Sequence, residues 1–109
     1  MRTYTFSVED KEYSLRYNFN SICDLEEKLG FGINGLANQE KAGLNLIRLI
    51  VWAGLKWKDP GLTPQRVGFI LQKYIELDGD FSTLAQECMN LLSESISNEK
   101  MRQQNELGE

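Results

Sequence analysis

Residues 42–57 read AGLNLIRLIVWAGLKW, and this stretch decides the fold. As a helix it would be apolar on nearly every side, since only Asn45, Arg48 and Lys56 interrupt the apolar residues. A helix that is apolar all round is buried on several sides, whereas a surface helix needs only one apolar stripe. In a chain of 109 residues this segment must be the central helix, or it must share one face with a partner.

Two further helices are predicted after the central one. Pro60 ends the central helix because it disfavours helical backbone at the preceding residue. The pair Thr63-Pro64 opens the next helix with a capping hydroxyl and a proline suited to the first helical position. Residues 78–80 (DGD) break that helix, and a last helix covers residues 81–96. The expected buried positions are Val67, Ile70, Leu71, Tyr74 and Ile75 in the first of these helices and Phe81, Leu84, Ala85, Cys88, Leu91 and Leu92 in the second.

Residues 3–17 carry the pattern of a β-hairpin. Apolar side chains alternate with polar ones on both sides of a short polar link, residues 9–12. Period-two alternation around such a link is typical of an antiparallel pair of strands, and the turn is expected at residues 10–11. An isolated hairpin is marginally stable in water, so its apolar face must pack on the helices.

A first helix is predicted between the hairpin and the central helix. Its apolar residues recur at helical spacing over residues 20–29, with Asn20 or Ser21 as the N-terminal cap. Gly30 suits the left-handed position that ends a helix, and residues 31–38 then have the composition of a loop.

These elements predict an α+β fold, in which an N-terminal β-hairpin is followed by about four α-helices in a single, mostly helical domain over residues 1–97. The hydrophobic fraction of 41% and the charged fraction of 26% are ordinary for a globular domain. Residues 98–109 are polar and are expected to form a disordered tail. No apolar run approaches the roughly 20 residues that cross a bilayer, and the N-terminus lacks a signal peptide. We therefore expect a cytoplasmic protein without a membrane partner.

Charge is unevenly distributed along the chain. Residues 42–75 carry five bases and one acid, while residues 76–109 carry eight acids and two bases. The net charge of −4 argues against general nucleic-acid binding, which needs the opposite sign. This separation of positive and negative charge along the chain has two explanations. The charged residues form solvated faces, or the basic middle of the chain meets an acidic partner or a neighbouring copy of the chain.

The residue types argue against an enzyme, a metal site and a cofactor. Histidine is absent, which removes the usual general base and metal ligand. Cys23 and Cys88 are expected to be free, buried thiols, although a bridge between them stays open. Residues 76–87 place four acids at calcium-loop spacing, but Phe81 stands where that loop needs glycine. Residues 30–35 match G-x-G-x-x-G without the preceding strand that nucleotide binding requires.

Two segments carry a more specific signal. Residues 15–30 read LRYNFNSICDLEEKLG, and residues 46–71 read LIRLIVWAGLKWKDPGLTPQRVGFIL. Both resemble the tail assembly chaperones of long-tailed bacteriophages, in the branch that includes the related proteins of gene transfer agents. The shared features are the Phe-Asn helix start, the Leu-Glu-Glu run, the Val-Trp-Ala-Gly-Leu helix and the Pro-x-Leu-Thr-Pro helix entry. The resemblance covers residues 4–78.

The resemblance implies a non-enzymatic protein of the host cytoplasm that is absent from the finished virion. Such a chaperone binds the apolar, helical tape-measure protein and keeps it soluble until tail tube subunits polymerise around it. The tail tube protein and further copies of the chain, as a homo-oligomer, are the other partners that the resemblance implies.

The contact surface for such a partner is expected on the central helix, because its apolar surface exceeds what one small domain readily covers. The predicted contact residues are Arg48, Trp52, Lys56, Trp57 and Lys58. Core filling is the alternative role of the two tryptophans, and Trp57→Ser separates lost binding from lost stability. The other class of function is a small DNA-binding regulator, whose recognition helix would present Gln65, Arg66, Gln72 and Lys73.

Overall fold

The computed structural model describes residues 2–30 and 43–107. The elements, in chain order, are β1 (Tyr4–Val8), β2 (Lys11–Leu15), α1 (Phe19–Leu29), α2 (Leu44–Leu55), α3 (Pro64–Glu76) and α4 (Phe81–Leu107). The predicted α+β fold, a hairpin followed by four helices, is confirmed. The loop predicted over residues 31–38 and most of the glycine motif at residues 30–35 lie outside the described residues.

The hairpin is an antiparallel pair in which Tyr4 lies opposite Leu15 and Val8 lies opposite Lys11. The turn is therefore at residues 9–10, one residue earlier than predicted. Glu9 takes a φ of 56°, a left-handed conformation that costs energy for a residue with a side chain. The sequence pattern misplaced the turn because no glycine marks the left-handed position.

Helix α1 begins one residue before its predicted start. Its N-terminal cap is Asn18, whose Oδ1 accepts hydrogen bonds from the Ser21 backbone N–H at 2.8 Å and from the Ser21 hydroxyl at 3.0 Å. The two predicted caps, Asn20 and Ser21, are wrong because both already lie within the helix. The predicted C-terminal cap is confirmed, since Gly30 has a φ of 80° and its N–H donates to the carbonyl of Glu26.

Helix α2 is the central helix of the domain. It contacts β2 and each of the other three helices, and eight of its twelve residues are buried. The hairpin approaches it closely, since the Arg16 N–H donates to the Gly54 carbonyl at 2.8 Å. The buried Tyr17 hydroxyl donates to the Ile50 carbonyl at 2.6 Å. Of the two alternatives set by the sequence, a central position or a face shared with a partner, the structure shows the first.

Helix α3 begins at the predicted Thr63-Pro64 pair, where the Thr63 hydroxyl accepts from the Arg66 N–H at 3.3 Å. Val67 and Leu71 are buried as predicted, but Ile75 is half exposed, so its assignment to the buried stripe is wrong. The helix ends in a Schellman motif in which Asp78 takes the left-handed conformation, with a φ of 66°.

Helix α4 packs on the core through the residues that the spacing predicted, including Leu84, Cys88, Leu91 and Leu92. Its predicted end at Ile96 is wrong, because the helix continues to Leu107. The tail at residues 98–109, expected to be disordered, is thus helical over most of its length. Residues 97–107 contain neither glycine nor proline and are rich in helix-favouring residues, which explains the continuation.

Candidate protein-binding groove

The central helix does not present the contact surface that its composition suggested. Trp52 is 4% exposed, and its indole N–H donates to the Leu62 carbonyl at 2.8 Å. A buried tryptophan whose N–H is paired belongs to the core. Trp52 is therefore a core residue of the single chain, and it is not available to a partner in this structure.

Trp57 follows α2 and is half buried against the hairpin. Its indole N–H donates to the Ser14 carbonyl at 2.9 Å, and the Arg16 guanidinium lies 4.4 Å from the indole ring centre. Both contacts are within the chain. Trp57 thus links β2 to the end of the central helix. This is the structural role that was the alternative to partner binding.

Two of the three predicted basic contact residues also have partners within the chain. Lys56 forms an ion pair with Asp24 on α1 at 3.0 Å, and its ammonium lies 4.7 Å from the Trp52 ring centre. Arg48 donates to the Asn45 side chain at 2.6 Å. Its Nε is buried, with no hydrogen-bond partner among the described residues. Lys56 therefore joins α2 to α1, whereas the Arg48 hydrogen bond lies within α2.

The fifth predicted residue, Lys58, lies in a groove between the hairpin and α3 that the sequence analysis did not predict. This groove, called the hairpin–α3 groove below, has a volume of about 650 Å³. One wall is formed by residues 11–14 of β2, and the other by Arg66, Phe69 and Ile70 of α3. Leu55, Leu62, Lys58 and Asp59, from the end of α2 and the segment after it, complete the lining.

The groove combines an apolar interior with a charged rim. Phe69 is 73% exposed, although it is a large aromatic residue, and it stands beside the half-buried Ile70. Leu55 and Leu62 are nearly buried and form the floor. Three bases and two acids lie along the rim, so the groove has a net charge of +1. These charged residues are Lys11, Lys58, Arg66, Glu12 and Asp59.

This arrangement suits a protein segment with one apolar face. Clefts of roughly 300–1,000 Å³ with a mostly apolar lining are usual for small molecules, so this groove has room for side chains of a partner segment. An amphipathic helix that lies in such a groove places apolar side chains inside and its polar side chains against the rim. Phenylalanine, like the other aromatic residues, is enriched in the buried cores of protein interfaces.

The sequence of α3 contains a signal for the groove. Phe69 lies two residues from both Val67 and Leu71, so it falls outside the helical stripe that those buried residues define. An aromatic residue that departs from the buried stripe of its helix is a candidate for a binding surface. Its partner wall in β2 could not be found without knowing how the hairpin packs.

The two thiols have different environments. Cys88 is buried on α4, and desolvation raises the pKa of its thiol to about 12. Cys23 is exposed on α1, so the prediction that it is buried is wrong. Neither cysteine is in a disulfide. Cys88 is thus protected by its fold, whereas Cys23 is open to reagents.

Tyr17 and Asp80 also have shifted pKa values, and each has a hydrogen-bond partner within the chain. Burial raises the pKa of the Tyr17 phenol well above its usual value, and the phenol donates to a carbonyl of α2. Hydrogen bonds from Thr83 lower the pKa of Asp80, which caps α4. Over the part of the chain that the structure describes, no group of three or more acids or cysteines could hold a metal ion, the acids of residues 76–87 included.

None of the described helices combines the length and the apolar character that crossing a membrane requires. Comparisons of the chain with protein-family models, with curated proteins and with solved structures found no match.

Proposed function

We propose that the protein is a tail assembly chaperone that binds an apolar helical segment of the phage tape-measure protein in the hairpin–α3 groove. The observation that carries the proposal is the exposed Phe69 ring at an apolar groove with a charged rim. The resemblance to tail assembly chaperones supplies the identity of the partner. The groove replaces the central helix as the contact surface, because the apolar residues of that helix are buried within the chain.

In this function the groove shields apolar faces of the tape-measure protein in the host cytoplasm. Such faces would otherwise associate with one another, because large exposed apolar patches cause aggregation. Tail tube subunits then replace the chaperone as they polymerise, so the chaperone is absent from the virion. The proposal includes self-association of the chaperone and contact with the tail tube protein.

The DNA-binding alternative gains no support from the residues that would read the bases. Lys73 forms an ion pair with Glu9 of the hairpin at 3.0 Å. Gln72 donates to the Glu76 carboxylate at 3.1 Å. Two of the four residues of the recognition face proposed for α3 therefore have partners within the chain, and a third, Arg66, lies at the groove.

The test is co-expression of the chain with a tape-measure protein, followed by pull-down and a binding titration. Phe69→Ser removes the exposed ring from the groove, and Phe19→Ser is the matched control, because Phe19 is 59% exposed at the start of α1. We expect Phe69→Ser to weaken binding by about 2 kcal/mol, the scale of an aromatic hot spot. The control should bind like the parent chain.

Two results would contradict the proposal. The first is a parent chain that does not retain the tape-measure protein, and the second is equal binding by the Phe69→Ser and Phe19→Ser variants. Retention of the parent chain on DNA with a strong salt dependence would instead support the regulator.

A further inference from the structure

The hairpin–α3 groove has two ends with different surroundings. At one end, the turn of the hairpin lies against the later turns of α3. Glu9 forms an ion pair with Lys73 at 3.0 Å, and the Phe6 and Tyr74 ring centres lie 5.5 Å apart in an edge-on contact. This end of the groove is called the turn end below.

The other end of the groove lies where α2 stops and α3 begins. The Ser14 carbonyl, at the far end of the β2 wall, accepts from the Trp57 indole N–H at 2.9 Å. Arg66 is in the first turn of α3, and Leu62 lies two residues before that helix. This end is called the α2 end below. The groove therefore follows α3 from its first turn, at the α2 end, to its later turns, at the turn end.

Charge differs between the two ends. The α2 end carries two bases and one acid, whereas the turn end carries one base and two acids. In that order, these residues are Lys58, Arg66, Asp59, Lys11, Asp10 and Glu12. The turn end also has the Glu9–Lys73 ion pair, whose charges cancel. Among the side chains that the structure describes, Lys58 and Arg66 form no ion pair, and both are exposed. The α2 end is therefore the positive end of the groove.

The helix dipole of α3 has the same direction as this charge difference. The N-terminus of a helix carries partial positive charge, and its C-terminus carries partial negative charge. Helix α3 begins at Pro64, beside the α2 end, and ends at Glu76, on the side of the turn end. The C-terminus of α2 opposes this field, but the Leu55 carbonyl accepts from the N–H groups of Lys58 and Asp59, both at 3.3 Å. The groove thus has a fixed electrostatic direction along its length.

We infer that the tape-measure helix lies antiparallel to α3, with its C-terminal end at the α2 end of the groove. In this orientation the partial negative charge of its last carbonyls faces Lys58, Arg66 and the N-terminus of α3. The reverse orientation brings like charges together at both ends. The inference rests on the proposed function for the identity of the occupant, and it adds the direction in which that occupant binds.

The same direction determines which segments of a tape-measure protein bind. The β2 wall is four residues long, or about 10 Å, which matches about two turns of a helix. Apolar side chains at i, i+3 or i+4, and i+7 fill the groove over those turns. Segments with acids near their C-terminal end and bases near their N-terminal end bind more tightly than segments with the opposite arrangement. Lys58 and Arg66 therefore determine specificity, whereas Phe69 supplies apolar contact.

The test measures the orientation of the bound helix by cross-linking to the full chain. The tape-measure segment that the chain protects from protease is made as two peptides, with one activated cysteine at the N-terminal or at the C-terminal end. Gly61→Cys in a Cys23→Ser background supplies an exposed thiol at the α2 end. The change fits the structure, because a Cβ on Gly61 would meet only Asp59 Oδ1, at 3.9 Å. The matched control is the parent chain, whose exposed thiol is Cys23 on α1.

We expect the peptide with the C-terminal cysteine to cross-link to the Gly61→Cys chain at least fivefold faster than the other peptide. The parent chain should react with both peptides at the same rate. Lys58→Gln/Arg66→Gln, added to the Gly61→Cys chain, should bring the ratio of the two rates towards one and weaken binding about tenfold at low salt. Lys28→Gln on α1 is the control for loss of a base, and it should leave both the ratio and the affinity unchanged.

Equal rates for two peptides that bind, or a faster reaction of the N-terminal cysteine, overturn the inference and leave the proposed function standing. A ratio that Lys58→Gln/Arg66→Gln does not change, in chains that circular dichroism shows to be folded, overturns the role of these two bases. A parent chain that retains no tape-measure protein overturns the proposed function, and this inference falls with it.

Discussion

Gly54 and Gly68 provide a sharp test of how the hairpin packs on the helices. Both are interior residues of helices, at which alanine is favoured over glycine by about 1 kcal/mol. Their surroundings differ. A Cβ on Gly54 would lie 2.8 Å from Leu15 Cδ2 and 2.8 Å from the Tyr17 hydroxyl, whereas a Cβ on Gly68 would meet Arg48 Cδ at 3.5 Å.

The contacts at Gly54 cannot relax easily. Carbon atoms pack favourably at about 3.5–4.0 Å, so an added methyl must move its neighbours by roughly 1 Å. Leu15 is completely buried and Tyr17 is 1% exposed, with its hydroxyl bonded to the Ile50 carbonyl. Overpacking of this kind costs about 1–3 kcal/mol, and a weakened hydrogen bond adds about 1 kcal/mol. After the gain in helix propensity, Gly54→Ala should destabilise the fold by about 1–3 kcal/mol.

Gly68→Ala should instead stabilise the fold by about 0.5–1 kcal/mol, because its new methyl makes an ordinary contact with the Arg48 side chain. Thermal melts followed by circular dichroism measure both changes. For a domain of this size we expect Gly54→Ala to lower Tm by roughly 5–20 °C and Gly68→Ala to raise it by a few degrees. Shifts of the same sign, or a Gly54→Ala variant as stable as the parent, would refute the packing argument.

Four further predictions concern stability and the thiols. Asp78→Gly should stabilise the fold by about 0.5–1 kcal/mol in urea unfolding, because glycine adopts the left-handed conformation without strain. Trp57→Ser should lower the free energy of unfolding by about 2 kcal/mol in the same assay, because a half-buried indole and its hydrogen bond to the Ser14 carbonyl are lost. An unchanged urea midpoint would contradict this structural role and would favour Trp57 as a contact residue for a partner. A thiol reagent should label Cys23 alone in the folded chain and both cysteines in urea. The free energy of unfolding should fall as pH rises from about 9 towards 12. In this range the Cys88 thiol ionises in the unfolded chain, where its pKa is near 9.0, but stays protonated in the folded chain. Cys88→Ala should lessen this fall.

The sequence predicted the elements well where a local signal exists. Period-two alternation located both strands, and the Thr63-Pro64 pair located the start of α3. Gly30 marked the end of α1. Each of these signals acts through backbone geometry within a few residues, so it does not depend on the rest of the fold. The hairpin turn was missed because Glu9 holds a left-handed position that glycine usually marks.

The surfaces were harder to predict because they depend on which elements pack together. The apolar residues of α2 were interpreted as an excess that a partner must cover, but β2 and three helices cover them within the chain. Ile75 and Phe69 have the same apolar character as the buried residues of α3. Helical spacing sets Phe69 apart from the buried stripe, but only the tertiary packing shows that Ile75 is exposed. Hydrophobicity alone therefore located the helices, but it did not show which of their apolar residues are exposed to a partner.

The core and the groove share residues, and this links stability to binding. Leu55 and Leu62 are 5% and 8% exposed in the core, and both line the groove. The indole N–H of Trp52 holds the Leu62 carbonyl at 2.8 Å, so a core side chain fixes the position of the groove floor. The wall at Ser14 is held in the same way by Trp57. In the proposed function, both tryptophans act on a partner indirectly, since each positions a surface that it does not itself present.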